Sequence, residues 1–84
     1  MIVEKTTELI LDPHTQDTTE LSTGPDRIYY VLKGKCDIET LYRGDTIVTR
    51  KLANETYSIG ENVSHRLLNP FDEPCHILEV QLNR

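Results

Sequence analysis

Short runs of β-branched and aromatic residues, interrupted by Gly, Pro, Asn and Asp, dominate the hydrophobic pattern of this chain. No stretch longer than about ten residues combines helical apolar spacing with helix caps. The runs recur at the spacing of about 8–12 residues that is typical of all-β sandwiches and barrels. The pattern predicts an all-β fold whose strands cover Val3–Leu11, Thr18–Ser22, Ile28–Lys33, Cys36–Tyr42, Thr46–Lys51, Thr56–Ile59, Ser64–Leu68 and His76–Leu82.

Glycine and proline positions predict where these strands turn. Lys33-Gly34-Lys35 and Arg43-Gly44-Asp45 lie between strand-like runs, and each indicates a tight hairpin. Asn69 to Pro74 contains two prolines and indicates a loop, in which Asn69 is expected to cap a turn. The predicted strands are therefore joined by short connections.

Alternation along a strand predicts which side chains share a face. His65, Leu67 and Asn69 are expected on one face of their strand, because side chains two residues apart point the same way. Ile28–Leu32 is apolar at every position, which predicts burial on both faces. One face would line the barrel interior and the other would pack on a second sheet or on a partner subunit. Tyr30 is expected at such an interface.

The length of 84 residues predicts one domain over residues 1–84, with limited capacity to bury surface. Two cysteines, Cys36 and Cys75, are too few for a disulfide scaffold. Free, half-buried thiols are favoured over a bridge between them. Homodimerisation through a sheet face is then the expected source of additional burial.

The charge pattern narrows the classes of partner. The formal net charge is −5, and the longest basic run is Arg50-Lys51, so the clustered cations that nucleic-acid binding needs are missing. No apolar run approaches the roughly 20 residues of a membrane span. The N-terminal residues 1–11 include Glu4, Lys5 and Glu8 and do not form a signal peptide. We therefore expect a cytoplasmic protein without nucleic-acid or membrane partners.

One segment resembles a known family motif. Residues 59–70 read IGENVSHRLLNP and resemble the second motif of the cupin superfamily. The form is most like that in the C-terminal cupin of bifunctional mannose-6-phosphate isomerase / mannose-1-phosphate guanylyltransferase enzymes. In that pattern a Pro and a Gly precede His-Arg-Leu, where this chain has Gly60 and Asn62. Asn tolerates a left-handed backbone, so the turn is expected to survive.

A second, upstream segment resembles the first cupin motif. Residues 27–35 read RIYYVLKGK and are similar to the end of that motif, with Gly34 at its closing turn. Two motifs in the right order imply a small cupin fold, a jelly-roll or double-stranded β-helix barrel, over about the last 60 residues.

The resemblance also implies which metal ligands to look for. Most cupins keep two His and a Glu in the first motif, but residues 22–27 of this chain contain no His. The Glu position falls on Arg27, or on Asp26 if the register slips by one. Only His65 matches a family metal ligand, so a divalent metal is not favoured over a hydrogen-bonded interior histidine.

Four residues are predicted to bind a ligand. Arg27 could act with His65 to hold a phosphate, carboxylate or uronate, or it could turn outward and pair with Asp26. Tyr29 and Tyr57 could stack on sugar rings in the barrel mouth, although tyrosines at strand spacing are more often core or interface residues.

Three hypotheses on function follow. The favoured one is a non-enzymatic cupin with an incomplete metal site that binds a sugar, a sugar phosphate or another small anion. The second is a metal-dependent sugar isomerase similar to mannose-6-phosphate isomerase. The third is a structural or regulatory barrel packed with side chains. No nucleophile paired with a base, and no phosphate-binding glycine loop, is present to indicate catalytic residues. An open polar cavity between Arg27 and His65 would favour the first hypothesis, and a packed interior would favour the third.

Overall fold

Eight strands account for most of the chain. The structure is a computed structural model that describes residues 2–18 and 23–83. The strands are β1 (Ile2–Leu11), β2 (Thr15–Gln16), β3 (Asp26–Lys33), β4 (Lys35–Tyr42), β5 (Asp45–Leu52), β6 (Thr56–Ile59), β7 (His65–Asn69) and β8 (Cys75–Asn83).

The strands form two antiparallel sheets of four. The first sheet has the order β1-β8-β3-β6 and the second has the order β2-β7-β4-β5. Buried side chains from both sheets join in one hydrophobic core: Leu11, Tyr29, Val31, Cys36, Ile38, Ile59, Leu67, Cys75 and Ile77. The predicted all-β fold is confirmed.

The β4–β5 hairpin is confirmed, whereas the predicted hairpin at Gly34 is wrong, because β3 and β4 belong to different sheets and the turn carries the chain from one sheet to the other. Each turn has glycine at a left-handed position. Gly34, between β3 and β4, has φ of 83°, and Gly44, between β4 and β5, has φ of 84°. Side chains other than glycine rarely adopt this backbone conformation. The two turns differ in their surroundings. A Cβ on Gly34 would lie 2.8 Å from the carbonyl oxygen of Pro74, whereas nothing lies within 4 Å of one on Gly44.

The second predicted strand differs from the structure. The strand lies at Thr15–Gln16, where it pairs with the end of β7. Thr18 follows this strand and belongs to no strand. The remainder of the predicted segment, residues 19–22, lies outside the described residues. A pairing of two residues produces too little alternation for the sequence to reveal it.

Alternation divides each sheet into an inner face and an outer face. In β7, the inner residues His65, Leu67 and Asn69 are buried and Arg66 and Leu68 are half-buried, which confirms the predicted faces. The outer face of the first sheet carries a group of apolar residues that we call the outer patch. Its members are Ile10, Ile28, Tyr30, Leu78 and Val80.

Within the described residues there is no helix long and apolar enough to cross a membrane.

Candidate functional site

A chain of hydrogen bonds crosses the barrel interior and contains three of the four predicted site residues. Arg27 Nη1 donates to the Tyr29 hydroxyl over 3.3 Å. The Tyr29 oxygen lies 2.8 Å from His65 Nε2, and His65 Nδ1 lies 3.0 Å from the Val63 carbonyl oxygen. A carbonyl only accepts, so Nδ1 donates to it, and Nε2 of the neutral ring accepts from Tyr29. The hydrogen bonds therefore run from Arg27 through Tyr29 and His65 to the Val63 carbonyl.

Strand register brings these groups together. Arg27 and Tyr29 are two residues apart on β3 and so point into the same interior. His65 reaches Tyr29 from β7, on the opposite sheet, with the two rings 5.7 Å apart between centroids. The contact between Tyr29 and His65 is thus a polar link between the two sheets.

Carboxylates compensate the charge of Arg27. Glu79 Oε2 lies 3.8 Å from Arg27 Nη1, and both side chains are mostly buried. Burial acts to lower the pKa of Arg27, but the Tyr29 hydrogen bond and the charges of Glu79 and Asp17 outweigh it, so the pKa is raised. For Tyr29 the effect of burial is opposite: burial raises its pKa above the usual value, despite the opposing hydrogen bond from Arg27. Arg27 therefore stays a cation and Tyr29 a neutral hydroxyl.

Tyr29 occupies the space between Arg27 and His65. Tyr29 is 1% exposed and His65 is 2% exposed. The alternative in which Arg27 turns outward is wrong, because 17% of its side chain is exposed and its Nη1 faces Tyr29 and Glu79. Arg27 lines a separate cavity of about 210 Å³ whose lining does not include His65. The Tyr29 hydroxyl thus lies where a ligand held by both Arg27 and His65 would have to lie.

The described residues do not fit the metal that the cupin resemblance implies. Both ring nitrogens of His65 already have partners, and the facing group is a tyrosine backed by a guanidinium cation. No group of three or more His, Cys, Asp or Glu within residues 2–18 and 23–83 is arranged to hold a metal ion. A divalent ion needs such a set of neutral or anionic donors.

An open cavity lies on the side of the barrel where β5 and β6 are not paired. It has a volume of about 390 Å³. Thr40, Tyr42 and Ile47 of the second sheet form one wall, while Tyr57 and Ile59 of the first sheet form the other. The β6–β7 connection contributes Gly60 and Val63, and Leu41 and Ser58 complete the lining. We call this space the β5–β6 cavity.

Register places this cavity beside the buried polar chain. Tyr57 pairs with Tyr29, and Thr40 pairs with His65. These two cavity residues therefore neighbour members of the polar chain on the same inner face. Tyr57 packs against the core, and Lys51 Nζ lies 5.6 Å from its ring centroid. Of the four predicted site residues, Tyr57 thus lines the cavity, whereas the other three form the hydrogen-bonded chain beside it.

The sequence prediction missed most of this cavity. Alternation on β5 places Ile47 on the inner face, but the sequence does not show that the barrel is open there. Inner-face apolar residues that remain exposed, such as Tyr42 at 58% and Ile47 at 47%, are visible only in the folded chain.

Comparison of the sequence with known proteins finds no match, whereas comparison of the structure finds similar folds. No protein-family model and no curated protein matches the sequence. The structure superposes on the cupin domain of Drosophila melanogaster CENP-C with a TM-score of 0.79 and 13% identity, covering 92% of this chain and 59% of that one. It matches a Cupin 2 conserved barrel domain protein from Salinispora arenicola CNS-205 with a TM-score of 0.77 and 15% identity, covering 93% and 61%. The chain has a cupin fold.

These cupins differ in function, so the fold alone does not select one. A structure of Bacillus subtilis oxalate decarboxylase, a protein described with Mn(II) centres, matches with a TM-score of 0.79 and 17% identity, covering 90% of this chain and 20% of that one. Drosophila CENP-C, in contrast, was crystallised bound to another protein, CAL1. This chain spans about three fifths of the length of the CENP-C chains.

Proposed function

We propose that this protein is a non-catalytic cupin that binds a small molecule in the β5–β6 cavity. The observation that carries the proposal is this cavity of about 390 Å³, which opens between two unpaired strand edges beside a closed polar core. Small-molecule sites are concave, mostly apolar and have volumes of about 300–1,000 Å³. The β5–β6 cavity has these properties.

The walls of the cavity favour a neutral ring compound. Tyr42 and Tyr57 offer aromatic surface, Ile47, Ile59 and Val63 offer apolar surface, and the hydroxyls of Thr40 and Ser58 offer hydrogen bonds. A sugar ring has an apolar face that stacks on tyrosine and an edge of hydroxyls. Arg27 does not line the cavity, and Glu79 already compensates its charge. A phosphate or another small anion is therefore less favoured than a neutral sugar or a small aromatic ring.

The proposal is tested by following amide chemical shifts of ¹⁵N-labelled protein during titration. The probes are methyl α-mannoside and phenol as neutral rings, with inorganic phosphate as the anion. We expect the neutral rings, at millimolar concentration, to shift amides of residues 40–42, 47 and 57–63. Phosphate is expected to leave these amides unchanged.

A pair of adjacent substitutions separates cavity binding from surface binding. Ile47→Trp fills the cavity and is expected to abolish the shifts. Val48→Trp places the same side chain on the opposite face of β5, because successive strand residues point to opposite faces. It is expected to preserve them. Shifts that survive Ile47→Trp, or neutral rings that cause none, would refute the proposal.

The other two hypotheses have unequal support. A structural barrel is favoured by one observation, the packed contact of Tyr29 with Arg27 and His65, and it becomes the preferred function if the neutral rings do not bind. The mannose-6-phosphate isomerase hypothesis stays a prediction that no observation here favours. The described residues lack the metal ligands on which it depends.

We also propose that the protein is a homodimer that associates through the outer patch. Four of its members form cross-strand pairs, Ile28 with Val80 and Tyr30 with Leu78, and Ile10 at its margin is 58% exposed. The four paired residues are half-buried, and a contiguous apolar patch that stays partly exposed commonly marks an association site. A cytoplasmic location and the lack of nucleic-acid and membrane partners stay predictions.

A further inference from the structure

Two cysteines are buried inside the barrel, at the end away from the β5–β6 cavity. Cys36 lies near the start of β4 in the second sheet, and Cys75 is the first residue of β8 in the first sheet. Cys36 is 1% exposed, Cys75 is 0% exposed, and both are free thiols in the same core cluster. They come from opposite sheets of the fold.

The β3–β4 turn brings the two cysteines into the same part of the core, because Gly34 packs against Cys75 and Cys36 follows Gly34 by two residues. Cys75 lies beside the β3–β4 turn, where a Cβ on Gly34 would approach its Cα to 3.3 Å. The adjacent Cys75 thiol, together with burial, raises the pKa of Cys36. The interaction with Cys36 in turn lowers the pKa of Cys75. Of the two thiols, Cys75 is thus the one that ionises first.

We propose that Cys36 and Cys75 form an oxidation site, at which a small hydroperoxide converts the two thiols into a disulfide that joins the two sheets. The proposal is independent of the proposed ligand-binding function. It concerns a different end of the barrel and uses no residue of the cavity.

The reaction proceeds in two balanced steps. The Cys75 thiolate attacks one oxygen of hydrogen peroxide, the O–O bond breaks, and hydroxide leaves and takes up the thiol proton as water. Cys75 then carries a sulfenic acid. The Cys36 sulfur attacks the Cys75 sulfur, the S–O bond breaks, and the hydroxyl leaves with the Cys36 proton as a second water. Two thiols are oxidised by two electrons, and one peroxide is reduced to two waters.

The position of Cys75 provides a route for a small oxidant. It directly follows Pro74 and the exposed residues Asp72 and Glu73, and its partner in the β1 ladder is Leu11, the last residue of that strand. Strand ends open more readily than strand centres. Opening at this end admits peroxide to Cys75 without separating the centre of the barrel.

A disulfide here would restrain the fold as a whole. It would close a loop of about 40 residues and connect β4 with β8 across the core. By the loop-closure relation, a bridge of this size raises the melting temperature of a small domain by about 10 °C or more. Reduction would reverse the change.

The test uses the native protein and hydrogen peroxide alone. After treatment, free thiols are blocked with iodoacetamide in denaturant, and the intact mass is measured with and without prior reduction. We expect a monomer that lacks two hydrogens and takes up no iodoacetamide, with a peptide that links Cys36 to Cys75. Its melting temperature should rise and return to the original value with dithiothreitol.

Single substitutions provide the control. Cys36→Ala and Cys75→Ala each leave one thiol and are expected to show no reversible rise in melting temperature with peroxide. Two other outcomes would overturn the proposal for the native chain itself. One is that both thiols resist peroxide until the protein is denatured. The other is that they oxidise separately to sulfinic acids with no cross-link.

Discussion

At the scale of single residues, the Tyr29 hydroxyl connects two other polar side chains of the barrel interior, Arg27 and His65. It accepts from Arg27, contacts His65 Nε2, and fills the space in which a ligand between those two groups would lie. Buried polar groups are costly when they lose a partner. Arg27 Nε is already buried without a hydrogen-bond partner among the described residues, so the guanidinium depends on the partners of its other nitrogens. We therefore expect Tyr29 to contribute to the stability of the fold.

Tyr29→Phe should therefore destabilise the protein more than an ordinary tyrosine truncation. Removal of the hydroxyl takes away its buried hydrogen bonds with His65 Nε2 and Arg27 Nη1, and we expect a loss of about 1–3 kcal/mol in the free energy of unfolding. Tyr30→Phe is the matched control. Its hydroxyl bonds the exposed Asn54 over 3.1 Å, and its loss should cost no more than about 0.5 kcal/mol. Urea unfolding measures both, and equal losses would contradict the assignment.

The sequence predicts part of this arrangement and not the rest. The spacing of Arg27 and Tyr29 predicts a shared face, and the cupin resemblance brings His65 near them. Neither reveals that the tyrosine hydroxyl lies between the two other side chains, because that depends on the separation of the sheets. The burial of Cys36 and Cys75 in one core cluster escapes prediction for the same reason.

At the scale of strands and turns, two glycines have the same backbone conformation but differ in how they pack against the rest of the fold. Gly34 and Gly44 have almost the same positive φ, 83° and 84°. Gly44 lies in the β4–β5 hairpin, and Gly34 lies in the turn that joins the two sheets. Only Gly34 packs against another segment, the backbone of Pro74 and Cys75. The β3–β4 turn thus closes the barrel end that holds the two thiols, whereas the β4–β5 turn projects into solvent.

Gly34→Ala should consequently be more destabilising than Gly44→Ala. Both variants carry the cost of a left-handed alanine, about 1–2 kcal/mol. Gly34→Ala also forces a Cβ to within 2.8 Å of a backbone oxygen, and overpacking of this kind adds about 1–3 kcal/mol. Thermal or urea unfolding of the two variants gives the difference directly. A difference near zero would mean that the turn and the β7–β8 loop do not pack as described.

These turns also show why strand prediction works for most of the chain. Gly34 and Gly44 act locally, so the residues around them suffice to place the two turns. They do not show that β3 and β4 belong to different sheets. The two-residue strand Thr15–Gln16 is stabilised instead by pairing with Asn69 and Leu68, far away in the sequence. No local pattern indicates such a contact, and this strand was therefore not predicted.

At the scale of the whole molecule, the two outer faces differ in how their apolar residues are arranged. On the second sheet, ion pairs surround the exposed apolar residues. Arg50 bonds Asp37 over 2.9 Å, and Arg66 lies 3.1 Å from Glu39. On the first sheet, the outer patch joins apolar residues across β3 and β8 without an ion pair between them. The two faces should therefore respond differently when a charge is introduced.

The proposed homodimer predicts that a charge on the first sheet, and not on the second, alters association. Leu78→Lys places an ammonium in the outer patch, opposite Glu8 of β1. Dimerisation would take both charges out of water, so we expect a dimer to become a monomer. Leu41→Lys, on the outer face of the second sheet where Leu41 is 41% exposed, is the control and should remain dimeric. Sedimentation velocity at several concentrations measures the mass, and circular dichroism checks that both variants fold. A monomeric wild-type protein would refute the dimer. A dimer that survives Leu78→Lys but dissociates with Leu41→Lys would instead place the interface on the second sheet.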